Sequence, residues 1–123
     1  MNFSHYYDKL NYAVFPTVRS VNYMDKHNLK IGSIDDIYVK RKFIGRAKLI
    51  VYQIQKIKEM SLNFLRYDST CDEFDEIIDK KDYIDLLNSF LPAGWGHNRL
   101  TTTKAILWWK WILKRVINNY EVL

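Results

Sequence analysis

The spacing of apolar residues changes twice along this chain, and each change limits what the segment can become. Over Ile34–Val39 and Ala47–Ile54 apolar and polar residues alternate loosely, which predicts strands buried on one face and partly on the other. From Ser61 the spacing is helical: Leu62, Phe64 and Leu65, then Phe74, Ile77 and Ile78, then Tyr83, Leu86, Leu87 and Phe90. Acids open these stretches, where the positive helix N-terminus favours them. The segment Pro92-Ala93-Gly94-Trp95-Gly96 breaks the chain, and Thr101-Thr102-Thr103 begins a β-prone run. Because Ile106, Trp109, Leu113, Val116 and Ile117 also fit a helical stripe, a strand over 102–109 followed by a short helix is expected. Near the start, Tyr6, Leu10 and Val14 suggest a short helix, and Phe15–Arg19 should be extended because Pro16 disfavours the helical region for the residue before it. This order of helix, strands, two acidic helices, strand and helix is that of an α+β domain.

With 123 residues, and with no repeat or Gly/Ser/Pro linker at which to divide them, residues 1–123 read as a single domain. The 4 Trp, 9 Tyr and 6 Phe supply enough apolar area for one core. Cys71 is the sole cysteine, so no intramolecular disulfide can form, and a reducing compartment is implied. The N-terminus lacks a basic-then-apolar leader and no apolar stretch is long enough to cross a bilayer, so a cytoplasmic location is expected, with no membrane partner. His5, His27 and His97 are scattered, which argues against a metal site. The four glycines do not form a phosphate loop, and the acids Asp72, Glu73, Asp75, Glu76 and Asp79 lack the spacing of a calcium loop. No cofactor is expected.

The net charge of +5 is unevenly placed: residues 1–58 hold eleven Lys or Arg against four acids, whereas residues 59–91 hold three against nine. A surface more positive than the total therefore faces away from the acidic segment, and such a field attracts phosphates. Lys40 and Lys42 on one strand face, with Arg46 and Lys48 paired on the next strand, read as a phosphate rail giving salt-sensitive affinity. Trp95, set between glycines and followed by His97, Asn98 and Arg99, suits stacking on a base; a tryptophan closing the core over a loop is the alternative. Trp108, Trp109 and Trp111 fall on both faces of a strand or a helix, so one of them could form a partner surface.

The Thr17-Val18-Arg19 strand, the turn at Lys30-Ile31-Gly32, the strand start Gly45-Arg46-Ala47, the acidic helical stretch and the Thr-rich last strand together resemble the ASCH domains, relatives of the PUA fold, over roughly residues 13–110. The resemblance implies a small β-barrel with helices packed over it and a cleft that binds RNA or nucleotides, with Thr17 and Arg19 at the cleft and Asp68 as the preferred carboxylate. Some small ASCH proteins are amidohydrolases of acylated cytidine that use a lysine three residues before this threonine. Val14 stands there, so that activity is not carried over unless Lys9 or Lys26 is brought back by the fold. The leading expectation is a nonenzymatic RNA-binding module, with Arg19, Lys40, Lys42, Arg46 and Arg99 on phosphates and Tyr67 or Trp95 stacking a base. A hydrolase or nuclease using Thr17, Arg19 and Asp68, and a protein-interaction module using the Trp-rich C-terminus, are the alternatives.

Overall fold

A computed structural model describes residues 1–92, 97–116 and 119–122. The strands are β1 (Asn2–Phe3), β2 (Val14–Ser20), β3 (Ile34–Val39), β4 (Lys42–Lys56), β5 (Thr103–Val116) and β6 (Asn119–Val122). The helices are α1 (Tyr23–Lys26), α2 (Leu62–Ser69) and α3 (Lys80–Ser89), with a 3-10 turn at Asp8–Asn11. Together these make a mixed α+β fold around one six-stranded sheet of order β1-β3-β4-β5-β2, with β6 beside the end of β5.

β5 organises the core because it is apolar on both faces. Ala105, Leu107, Trp109 and Trp111 point into an inner core shared with Phe3, Phe15, Ile37 and Leu49. Ile106, between them, points the other way into a second cluster with Leu65, Ile77 and Tyr83, and Trp108 packs against that cluster. A residue set apolar on both faces satisfies a helical period as easily as a strand one, which is why a helix was expected beyond Trp109. The strand instead continues to Val116, since pairing with β4 and β6 satisfies its backbone while Trp111 stays buried in the inner core. Phe74, Ile77 and Ile78, expected on a helix, lie in an extended connection between α2 and α3. Asp79 caps α3 by accepting from the Asp82 amide, and Ser61 caps α2 in the same way.

The sheet curls until its two edges share one core: the rings of Phe3 on β1 and Phe15 on β2 have centroids 6.3 Å apart. Among the described residues no ladder joins β1 to β2, so the sheet is open where the sequence reading expected a barrel. The physical reason is that the Phe3 and Phe15 rings stand between the edges, where a closing ladder would need strands ~4.8 Å apart. Two local features set the curl. Lys40 and Arg41, with φ of 50° and 67°, form the two-residue turn between β3 and β4. Gly45 sits beside register shifts in β4, and a Cβ there would lie 2.1 Å from the Leu113 carbonyl oxygen. Gly45→Ala should therefore destabilise the fold by about 1 to 3 kcal/mol in denaturant unfolding, because the clash is with backbone and cannot rotate away. Unchanged stability would show that the β4–β5 approach is not fixed by this residue.

Candidate functional site

The gap between the sheet edges is a pocket of about 340 Å³, lined by β1, the segment after it, β2, α2 and α3. Its polar centre is Asp68, in the last turn of α2 one helical step beyond the core residue Leu65. One carboxylate oxygen accepts from Lys9 Nζ at 2.7 Å and the other from the Tyr83 hydroxyl at 2.7 Å. Lys9 comes from the 3-10 turn and is only 4% exposed, a burial that a lysine tolerates only with such a partner. Burial pushes the Lys9 amine below its ordinary value, while the Asp68 charge works in the opposite direction. Burial raises Tyr7 to about 12 and Tyr83 well above 10, with the Asp68 charge adding to both, so these phenols stay protonated.

Strand alternation puts Thr17 and Arg19 on the same side of β2. The Thr17 hydroxyl accepts from the Trp109 indole at 3.2 Å, which leaves its own proton without an acceptor among the described residues. The Arg19 guanidinium lies over the rings of Phe3 (5.7 Å) and Tyr23 (5.2 Å). Its Nε is buried with no hydrogen-bond partner, and no carboxylate pairs with Arg19 among the described residues. Its positive field reaches Lys9, Tyr7, Tyr23, Tyr83 and Lys104, lowering the proton affinity of each. With Lys9 and Arg19 set against Asp68, the pocket keeps an excess positive charge. Phe3, Tyr7, Leu86, Leu87 and Phe90 give it apolar and aromatic walls.

The structure thus brings Thr17, Arg19 and Asp68 together and adds Lys9, Tyr7 and Tyr83; Lys26 is exposed on α1, away from the pocket lining. The expected phosphate rail is rearranged, with Lys40 in the hairpin turn and Lys42, Arg46 and Lys48 all on β4. Lys40 is at the hairpin tip bound to Glu73, Lys42 begins β4, and Arg46 is bound to Asp36 at 2.9 Å. Lys40 and Arg46 thus each have a carboxylate beside them in an exposed ion pair. Tyr67 donates its hydroxyl to the Val14 carbonyl and packs edge-on to Tyr12, outside the pocket lining. Arg99 is exposed in the connection before β5, and Trp95 lies outside the described residues. Tyr83 and Tyr7 carried no signal beyond apolar spacing, and only the fold reveals what their hydroxyls face. Among the described residues no group of three or more His, Cys, Asp or Glu could hold a metal ion.

Fold and site define a class: an open-sheet α+β protein with a cationic, aromatic-walled pocket between its sheet edges. No protein-family model matches the chain. Uncharacterized protein MJ0364 of Methanocaldococcus jannaschii is 36% identical over 109 residues, which cover 88% of this chain and 91% of that protein. The chain belongs to the family of that archaeal protein. The crystal structure of protein EF3133 from Enterococcus faecalis V583, of family DUF984, shares the fold with a TM-score of 0.52 at 12% identity. That match covers 88% of this chain and 60% of the Enterococcus chain. No helix among the described residues is long and apolar enough to cross a membrane.

Removing one partner of the Lys9–Asp68 pair leaves a buried charge unpaired, so Lys9→Met or Asp68→Asn should each cost about 3 to 5 kcal/mol. Lys9→Met with Asp68→Leu should recover most of that loss in denaturant unfolding, as the pair is exchanged for apolar volume. In Asp68→Asn, Lys9 loses the carboxylate that holds its proton, so its folded value falls further below that of an unfolded lysine. The unfolded chain then binds the extra proton, and the stability of this variant should rise with pH up to about 10. A flat profile would mean that the amine reaches water.

Proposed function

We propose that this protein binds a nucleotide unit in the pocket between its sheet edges, with phosphate on Arg19 and the base among the aromatic walls. The observation that carries the reading is the Arg19 guanidinium, whose buried Nε lacks a partner at a cost of about 1 to 3 kcal/mol. Two parallel hydrogen bonds from such a fork to a phosphate would satisfy it. Thr17, with its proton unassigned, supplies a neutral donor, and the walls of Phe3, Tyr7 and Phe90 suit a flat ring. The unit can come from a free nucleotide or from single-stranded RNA, and RNA in the cytoplasm is the leading source. The ASCH resemblance belongs to this proposal: the Thr-x-Arg pair in the pocket supports it, and a curled, open sheet stands where that family would have a closed barrel.

A second reading, a small hydrolase of an acylated nucleoside, is favoured by one observation: Lys9 shares the pocket with Thr17. There Lys9 would first pass its proton to Asp68; the free amine would take the Thr17 hydroxyl proton as the oxygen attacks the acyl carbon and return it to the leaving amine, and water would then cleave the acyl-threonine ester to release the carboxylic acid.

Calorimetry with a nucleoside monophosphate and with a short single-stranded RNA separates the two sources. Arg19→Lys should weaken binding by 1 to 3 kcal/mol, about 5- to 150-fold, with an unchanged melting temperature. Unchanged affinity with lowered thermal stability would overturn the proposal. Release of cytidine from an N-acylated cytidine, lost in Lys9→Met, would favour the hydrolase; binding without release would count against it.

A further inference from the structure

Outside the pocket, the outer face of the sheet carries an arrangement that costs stability. Lys48 on β4 and Lys110 on β5 are directly opposite partners in the antiparallel ladder. Their neighbours Ala47, Leu49, Trp109 and Trp111 are buried, so both lysines project outward, and both are exposed. Side chains so paired start about 5 Å apart, and like charges there repel. Among the described residues neither lysine has a salt-bridge or hydrogen-bond partner, and Asp36 on the adjoining strand is already engaged by Arg46. The helices do not relieve the pair. They cover the outer face further along β5, where Phe64 packs against Trp108.

The lysines lie in one row across the sheet: Ile34, Lys48, Lys110 and Val14 are successive partners on β3, β4, β5 and β2. At the Val14 end stands the Tyr12–Tyr67 pair, with the Tyr67 hydroxyl on the Val14 carbonyl and Tyr12 57% exposed. Three and five residues further along the same strand are Thr17 and Arg19. At roughly 3.3 Å per residue they are about 10 and 16 Å from Val14. A mononucleotide cannot bridge that distance, whereas a strand can.

We infer that Lys48 and Lys110 hold successive phosphates of a single-stranded RNA that rounds the β2 edge and places a nucleotide a few positions along in the pocket. The inference rests on the nucleotide reading of the pocket and deepens it, because it makes the ligand a strand. Two fixed cations beside an exposed ring fit a backbone with bases to stack, while an acidic peptide supplies the charge without the rings.

The test uses the whole protein, a labelled ten-nucleotide oligouridylate followed by anisotropy, and uridine monophosphate followed by calorimetry. Lys48→Gln with Lys110→Gln should lower the slope of log affinity against log salt by about 1.4, or 0.7 per lost contact, and leave mononucleotide binding unchanged. Lys110→Glu should abolish oligonucleotide binding yet raise Tm by about 1 to 4 °C, by turning a repulsive pair into an attractive one. An equal loss in Lys30→Gln with Lys81→Gln would mean that bulk charge suffices, and would overturn the inference. So would an unchanged slope, or equal competition by polyglutamate, which would make the face a site for acidic protein. Mononucleotide binding without an oligonucleotide advantage would sink the strand but keep the pocket. Salt-dependent RNA binding untouched by Arg19→Lys would sink the pocket but keep the lysines. If neither ligand binds, both fail.

Discussion

Asp68 accepts from Lys9 on one oxygen and from Tyr83 on the other, and in doing so ties the N-terminal 3-10 turn to α2 and α3. A carboxylate and an ammonium withdrawn from water lose hydration worth several kcal/mol each, and they stay folded only if their partners are well placed. That requirement fixes where the turn sits against the two helices, and the placement of the turn sets one wall of the pocket. Arg19, Thr17 and the aromatic residues then face a space whose shape this buried network decides. Such a network adds little net stability compared with an apolar core of the same volume. It does impose one arrangement, since any other leaves a charge unpaired.

The second constraint is the incomplete sheet. β2 and β1 each end the sheet on one side, and the rings of Phe3 and Phe15 with the Arg19 guanidinium occupy the space where a closing ladder would run. An open edge usually invites pairing with another chain. Here side chains partly fill the gap, and what remains is a half-open pocket, polar at its base. The same strand that lines the pocket at Thr17 and Arg19 reaches the outer lysine row at Val14. Pocket and outer face are thus joined by one rigid element.

Much of the architecture was legible because strand and helix periods leave different marks. β3 runs from Ile34 to Val39 as the alternation predicts, and the helical spacing after Ser61 and at Tyr83–Leu87 falls on α2 and α3. The acidic connection at 70–79 misled because Phe74 and Ile77 meet the core from an extended chain, with Ile78 turned to solvent, and the three happen to be spaced like a helix. Beyond Trp109 the apolar set fits either period, and only its pairing with β4 decides. At the basic hairpin, charge counting found Lys40 and Arg46, but no local pattern shows that Glu73 and Asp36 would reach them from elsewhere in the chain.

The sequence by itself determined the α+β class with two helices set between strands, the shared face of Thr17 and Arg19, and the excess of positive charge. Each follows from residues a few positions apart, where backbone geometry alone sets which side chains are neighbours. Only the tertiary structure decided that Lys9 meets Asp68 across 59 positions, that Lys48 faces Lys110, and that the sheet edges stop short of closure. Those contacts depend on strand register and on how far the sheet curls. Both are set by the packing of the whole core, which no short stretch of sequence records.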